Sequence, residues 1–144
     1  MTTNAERAAT LERALRAGVD GDADTLRAVL TEDVRAWTPL LSTTDLAELL
    51  DELGRRDDAF SGHTLEMVAL DVGGDFACVE WTVEATHTGD LRLSDQLSLD
   101  PTGIRITLHG VTVAEFDGEC ICSLRQYWDE FTVLEQLGVL TGDD

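Results

Sequence analysis

The chain has 144 residues and contains no lysine, so all ten of its basic residues are arginine. Acidic residues number 29, which leaves a net charge of −19. A charge of this size repels phosphate backbones and anionic lipid surfaces, and we therefore expect no nucleic-acid partner. Two origins fit the composition: adaptation to high salt, where a short Debye length screens the self-repulsion, or a GC-rich genome that favours arginine codons.

Cysteine and long apolar segments are also scarce. The three cysteines, Cys78, Cys120 and Cys122, all lie in strand-like segments. Their odd number argues against a disulfide framework and no Cys or His spacing suits zinc, so we predict reduced core cysteines and no metal site. No apolar run approaches the roughly 18 residues of a membrane span, and the N-terminal residues lack an apolar signal segment. We expect a cytoplasmic protein with no membrane partner.

The first half of the chain has the spacing of helices. Residues 5–17 place apolar side chains three and four positions apart, and a second short helix capped by Asp22 or Asp24 is expected to follow. The segment Ser42-Thr43-Thr44-Asp45 has the composition of a capping box ahead of a leucine-rich third helix, which we expect to end near Gly54.

The second half of the chain changes to strand periodicity. Four segments have alternating or continuous apolar and β-branched residues: 63–72, 76–86, 104–116 and 119–128. Gly73-Gly74 and Asp117-Gly118 lie between neighbouring segments as hairpin turns, and residues 129–137 return to helical spacing. The pattern predicts one α+β domain, 1–144, in which N-terminal helices cover the concave side of a strongly bent antiparallel sheet and a short C-terminal helix follows.

Three short motifs in the second half occur in a characteristic order. They are Thr86-His87-Thr88-Gly89, then Pro101-Thr102-Gly103, and finally Gln126-Tyr127-Trp128-Asp129 leading to Gln136-Leu137-Gly138. In this order and spacing they resemble the SnoaL-like polyketide cyclases, a branch of the nuclear-transport-factor-2-like superfamily of cone-shaped α+β domains. The resemblance implies the fold more sharply than the chemistry, because this fold hosts cyclases, isomerases, hydrolases and binding modules.

A cavity between a bent sheet and its helices is mostly apolar, so the few polar side chains that face it are the functional candidates. Strand alternation places Trp81 on the inner face and makes Gln126 the polar residue that enters the cavity from the last strand. Five aromatic residues are candidates for a wall that contacts a flat apolar ligand, although such residues are more often core: Trp37, Phe60, Trp81, Tyr127 and Trp128. His109 is a further pocket candidate, with an outward or dimer-contact position as its alternative.

The resemblance also implies a catalytic aspartate. In SnoaL-like cyclases an aspartate near the end of the last strand is the general acid or base, and Asp129 occupies the matching position. An aspartate that opens a helix is also a favoured N-cap worth about 1 kcal/mol, and this alternative stays open. Relatives similar to limonene-epoxide hydrolases carry an acid within that strand where this chain has Gln126, which argues against epoxide hydrolysis. Ala114 stands where SnoaL-like sequences often carry an arginine.

His87 is the second catalytic candidate because an imidazole titrates near neutral pH and can transfer protons. Its alternative role is a backbone hydrogen bond that holds the loop 88–101, the longest irregular segment. That loop is either a lid or a solvated connection.

Two classes of function follow. In the first, Asp129 and His87 remove a proton next to a carbonyl group, and the enolate closes an aldol ring or shifts a double bond without any cofactor. In the second, the same cavity binds an apolar small molecule without turnover. In both cases we predict a homodimer formed through the outer face of the sheet, since so few helices cannot cover both faces of such long strands.

Overall fold

The computed structural model describes residues 2–139, apart from the side chain of Asp57; residues 1 and 140–144 of the predicted domain lie outside the described residues. The helices are α1 (Asn4–Asp20), α2 (Ala23–Val29), α3 (Leu46–Ala59) and α4 (Glu130–Gln136). The strands are β1 (Leu30–Thr38), β2 (Leu41–Thr43), β3 (Phe60–Gly73), β4 (Phe76–His87), β5 (Leu91–Arg92), β6 (Ser98–Leu99), β7 (Arg105–Asp117) and β8 (Cys120–Trp128). The predicted α+β class, with helices first and a short C-terminal helix, is confirmed.

Six strands form one strongly curved sheet in the order β2-β1-β8-β7-β4-β3. The β3–β4 and β7–β8 hairpins form at the two predicted turns. The expectation of a wholly antiparallel sheet is wrong at one place, because β1 pairs with β8 in parallel. The two strands are far apart in the chain and are joined through other elements of the fold, so no local turn signal reports their relative direction.

Aspartate and threonine caps begin the helices. Thr3 caps α1, Asp22 caps α2 and Asp45 caps α3, each accepting a hydrogen bond from a backbone N–H of the first turn. Helix α3 continues five residues beyond the end expected at Gly54. A glycine inside a helix costs only about 1 kcal/mol relative to alanine, which packing of the following turn against the sheet readily offsets.

The core lies between the helices and the concave face of the sheet. The predicted inner face of β4 is confirmed at its most buried positions, Ala77, Val79, Trp81 and Ala85. Buried side chains from α1, α2, α3 and the facing strands complete this layer, among them Leu11, Leu26, Leu49 and Ile121. These contacts fix the three N-terminal helices over the sheet and leave room for a cavity beneath them.

The prediction of three core cysteines is wrong. Cys78 lies exposed on the outer face of β4, and Cys120 and Cys122 are only partly buried. A β-bulge in β8, opposite the step from Glu115 to Phe116, changes the alternation of faces at Cys122. Ile121 therefore takes the fully buried position that strict alternation assigned to the cysteines. All three thiols are free.

Candidate functional site

An apolar cavity of about 160 Å³ lies between the helices and the concave face of the sheet. Its lining is largely aliphatic and aromatic, with Arg56, His63 and Gln126 as the polar side chains besides the tryptophan indoles. The remaining lining residues are Ala14, Leu15, Gly18, Val19, Leu26, Leu30, Leu53, Phe60, Leu65, Trp81, Val83, Ala85, Ile106, Leu108, Leu124 and Trp128. A cavity of this composition suits an apolar ligand oriented by a few polar groups.

His63 lines the cavity because of a β-bulge at the start of β3. Between the pairing positions of Ser61 and Thr64, β3 has one residue more than β4. Gly62 has a φ of +64°, the left-handed conformation that favours glycine and opens a bulge of this kind. The extra residue changes the alternation of faces, so that Phe60 and His63 both line the cavity.

The surroundings of His63 favour its neutral form. Burial lowers the pKa of His63 below its ordinary value of 6.5, and of the two nearby charges Asp20 raises this pKa while Arg105 lowers it. Arg105 is itself fixed beside the bulge, because its guanidinium donates hydrogen bonds to the Gly62 carbonyl and to Thr86 Oγ1, both at 3.1 Å. The imidazole is therefore a proton acceptor at neutral pH.

Within the described part of the chain, Arg56 contributes the one permanent positive charge of the cavity lining, and this charge is already paired. Its guanidinium donates two hydrogen bonds to the Glu130 carboxylate, at 2.9 and 2.8 Å, which join α3 to α4. The guanidinium also lies over the rings of Phe60 and Trp128, and the Trp128 indole N–H donates to the same carboxylate at 3.1 Å. This bidentate pair holds Arg56 in place at the cavity wall.

Gln126 enters the cavity from β8, where strand alternation places it. Its amide donates a hydrogen bond to Thr112 Oγ1 at 3.3 Å, and the Trp81 indole N–H donates to the same oxygen at 2.9 Å. No other hydrogen bond of the Gln126 side chain occurs within the part of the chain that the structure describes. Its second amide N–H and its carbonyl oxygen are thus available to a ligand.

Asp129 does not line this cavity. It caps α4, with its Oδ1 accepting a hydrogen bond from the Phe131 backbone N–H at 3.0 Å. It lies beside an open groove on the other side of the sheet, together with His109 and Tyr127. Asp129 thus acts as the N-cap of α4, and Trp81 and Trp128 line both this groove and the cavity.

His87 also lies outside the cavity lining, fully buried beneath the loop 88–101. The Thr102 backbone N–H donates to His87 Nδ1 at 3.2 Å and the Thr102 hydroxyl lies 3.0 Å from the same nitrogen, whereas the buried Nε2 has no hydrogen-bond partner within residues 2–139. The backbone of His87 donates to the Ile104 carbonyl and accepts from the Gly103 N–H, both at 2.9 Å. These bonds join the two ends of the loop to each other.

The other motif residues hold the same end of the molecule. Gly89 passes so close to α3 that an added Cβ would lie 2.0 Å from the Asp58 carbonyl oxygen. The Gln136 side chain donates to the Thr107 carbonyl at 2.8 Å and accepts from the Thr107 N–H at 2.9 Å, which attaches α4 to β7 beyond the end of β8. Gln136 thereby satisfies backbone groups that a neighbouring strand would otherwise pair.

The aromatic wall expected from the sequence is divided between the two faces of the sheet. Trp81 and Trp128 line the cavity, whereas Trp37 and Tyr127 lie on the outer face with ring centroids 5.1 Å apart. In the second half of β1 the buried positions are Val34, Ala36 and Thr38, so alternation turns Trp37 outward.

His109 is likewise exposed on the outer face, where its Nδ1 lies 3.0 Å from Thr82 Oγ1. The outer face therefore holds Trp37, Tyr127 and His109, three of the pocket candidates. The homodimer through this face stays a prediction, which light scattering at high micromolar concentration would check.

Sequence reasoning missed His63 and Arg56. The signal for His63 was Ser61-Gly62 immediately before it, since a glycine at the start of a strand often marks a bulge that re-aims the next side chain. Arg56 lay beyond the expected helix end, so no face was assigned to it. Within residues 2–139 no group of three or more His, Cys, Asp or Glu side chains is arranged to hold a metal ion. None of the helices in that range is long and apolar enough to cross a membrane.

Solved structures of several bacterial proteins share this fold. AclR of Streptomyces galilaeus, a proposed hydroxylase, has a TM-score of 0.83 and 21% identity, covering 99% of this chain and 87% of its own. A proposed SnoaL-like polyketide cyclase from Jannaschia sp. CCS1 has a TM-score of 0.82 and 16% identity, with coverage of 95% and 94%. An LEH-like epoxide hydrolase of M. tuberculosis has a TM-score of 0.70 and 18% identity, with coverage of 94% and 92%.

Identities this low show a shared fold and not a shared reaction. No curated protein matches the sequence at a significant level. A family model, in contrast, matches residues 11–124 and describes the SnoaL-like domain. Because that match covers most of the sequence, the chain belongs to the SnoaL-like domain family.

Proposed function

We propose that the cavity is the active site of an enzyme that removes a proton from the carbon next to a carbonyl group. The observation that carries this proposal is His63, a partly buried imidazole whose lowered pKa keeps it neutral, in a cavity with an otherwise almost wholly apolar lining. A neutral imidazole is a suitable general base at neutral pH, and an apolar site keeps water from competing for the proton.

The proposed reaction begins when His63 accepts the α-proton and the C–H electron pair moves toward the carbonyl oxygen, which becomes an enolate. The free amide N–H of Gln126 donates a hydrogen bond to that oxygen and stabilises the developing charge. The enolate carbon then attacks a second carbonyl of the same molecule, whose oxygen takes the proton back from His63, or the proton returns at a different carbon. The first outcome is an aldol cyclisation and the second an isomerisation, and neither step needs a cofactor.

Asp129 and His87, which the resemblance and the sequence put forward as the acid/base pair, have other partners in the fold. Their positions favour a second candidate function, a binding module that holds an apolar ligand without turnover. The two functions differ in a single measurable property, because a binding module would not accelerate proton exchange at the α-carbon of a bound ketone.

Exchange of the α-protons of cyclohexanone in D₂O, followed by NMR, tests the proposal without the natural substrate. The wild-type protein should accelerate exchange, and His63→Gln should lower the protein-dependent rate by about 10²-fold or more, the usual contribution of a positioned general base. His109→Gln is the matched control, because His109 lies exposed on the outer face, and it should exchange at the wild-type rate. Equal rates for wild type and His63→Gln would contradict the proposal.

A further inference from the structure

We infer that the cavity takes a neutral compound of about one six-membered ring with one carbonyl oxygen, which accepts a hydrogen bond from Gln126. Of the two proposed outcomes such a compound fits the isomerisation, because the aldol closure needs a second carbonyl. This ligand class rests on the proposed function of the same cavity, but size, charge and polar contacts each limit it independently of any turnover. The binding experiment below therefore gives an answer even if no reaction occurs.

Size is the first limit. The cavity volume is about 160 Å³. A cavity of roughly 150 Å³ lined by aliphatic and aromatic side chains holds one benzene molecule, and protein interiors are too densely packed to yield much additional space. A second fused ring would have to displace lining side chains such as Leu65 or Leu108, which pack against the surrounding core.

Charge is the second limit. Among the residues that the structure describes, the lining contains no aspartate or glutamate, and its one permanent cation, Arg56, already has a carboxylate partner in Glu130. An anionic ligand would have to displace Glu130 from a bidentate pair, and a cationic ligand would find no unpaired carboxylate among the described lining residues. Burying an unpaired charge costs more free energy than burial of one apolar ring returns. Because burial also lowers the pKa of His63, the imidazole supplies no cation at neutral pH.

The polar contacts set the third limit. Gln126 has one amide N–H and one carbonyl oxygen without a partner in residues 2–139, and His63 has no hydrogen bond there. In the inferred complex, one ligand oxygen accepts a hydrogen bond from Gln126 and the ring packs against the apolar wall. The ring carbon next to the carbonyl group then faces the side of the cavity where His63 lies. Apart from these groups of Gln126 and His63 and the paired Arg56, the described lining is apolar, so a ligand with many hydroxyl groups would bury polar atoms without partners.

Ligand-observed NMR titration tests the size limit with cyclohexanone and 1-decalone, a bicyclic ketone with the same oxygen. In the wild type, cyclohexanone should bind about tenfold more tightly than 1-decalone, since the second ring must displace the lining. Leu65→Ala enlarges the cavity and should remove or reverse this preference. Leu70→Ala, an exposed leucine of the same strand outside the lining, is the matched control and should keep it.

Cyclohexanecarboxylate and cyclohexylammonium test the charge limit. Titrations in about 1 M salt, where the Debye length is about 3 Å, screen the net charge of the protein from the comparison. Both ions should bind at least about tenfold more weakly than cyclohexanone. Glu130→Gln frees Arg56 from its ion pair, so the affinity ratio of carboxylate to cyclohexanone should rise about tenfold in this variant. Wild-type binding of 1-decalone or of the carboxylate as tight as that of cyclohexanone would overturn the ligand class.

Failure of this inference and failure of the proposed function are distinguishable. Cyclohexanone that binds with the expected preferences but shows no accelerated α-proton exchange supports the ligand class and overturns the catalysis. Accelerated exchange with no preference for size or charge overturns the ligand class and leaves the catalysis standing.

Discussion

Two histidines of this chain occupy opposite kinds of surroundings. His63 lies partly exposed at an apolar cavity and has no hydrogen bond within residues 2–139, whereas His87 is fully buried and bonded to the Thr102 N–H. The backbone and side chain of His87 both join the two ends of the loop 88–101. His63 keeps both ring nitrogens available to a ligand.

The difference teaches that a family motif and a reactive site need not coincide. The motif residues Gly89, His87 and Gln136 each complete a close approach or a backbone hydrogen bond at one end of the molecule. Such residues hold the loop 88–101 and the helices α3 and α4 in place. At the cavity, His63 and Gln126 fill no such close approach and satisfy no backbone group. The residue types at these two positions can therefore be determined by the ligand that they contact.

The largest expected effect at the motif end is that of Gly89→Ala. The new Cβ would lie 2.0 Å from the Asp58 carbonyl oxygen, so the loop and the end of α3 must move apart. We expect a loss of about 3 kcal/mol in the free energy of unfolding, measured by urea denaturation. Gly54→Ala in the same helix is the control, because nothing lies within 4 Å of its added Cβ. It should gain up to about 1 kcal/mol, and equal stabilities for the two variants would show that the contact at Gly89 carries no cost.

The fold could be predicted from the sequence because periodicity reports burial. The buried face of β4, the two hairpins and the N-caps of α2 and α3 all follow from side chains whose preferences act within a few residues. The parallel pairing of β1 with β8 could not be predicted in this way, because it depends on contacts between segments about 90 residues apart in the chain.

The site was harder to predict because bulges change which way a side chain points. One bulge turns His63 into the cavity and another turns Cys122 away from the core, and neither alters the apolar pattern of its strand. Trp37 and Tyr127 lie on the outer face, as the simple alternation of side chains along β1 and β8 requires. The sequence alone was therefore sufficient to exclude these two residues from the cavity.

His87→Leu should sharpen the comparison of the two histidines. The leucine cannot accept from the Thr102 N–H, and a partly buried donor without a partner costs about 2 kcal/mol. Hydrogen exchange at the amides of Thr102 and Gly103 should become faster, while the rate of α-proton exchange in cyclohexanone should change less than about tenfold. A larger loss of that rate, in protein shown to remain folded, would indicate that His87 takes part in proton transfer as the sequence suggested.

Substitutions of Asp129 distinguish its role as a helix cap from a role as a catalytic carboxylate. Asp129→Asn should leave the free energy of unfolding nearly unchanged because asparagine is an equally good N-cap, whereas Asp129→Ala should lose about 1 kcal/mol. Neither change should lower the α-proton exchange rate, because Asp129 lies outside the cavity lining. Loss of exchange in Asp129→Asn with unchanged stability would instead restore the catalytic role that the resemblance implies.

The smallest expected effect concerns the pH dependence of stability, and it isolates His63. Because the pKa of His63 is lowered in the folded protein, the unfolded chain binds a proton near pH 6.5 that the folded protein does not. The stability that His63 contributes is therefore complete above pH 6.5 and is lost as the pH falls from there toward the folded pKa. Wild type should lose more thermal stability than His63→Gln between pH 7.5 and pH 5, measured by calorimetry at about constant ionic strength.

Asp20 supplies the control for that measurement. Its charge raises the pKa of His63 against the effect of burial, so Asp20→Asn should lower this pKa further and make the loss of stability in acid steeper than in wild type. In the double variant with His63→Gln, the substitution at position 20 should no longer change the slope between pH 7.5 and pH 5. Parallel curves for wild type and His63→Gln would mean that His63 is as well solvated in the folded protein as in the unfolded chain, and the cavity would then lack the desolvated base that the proposed reaction needs.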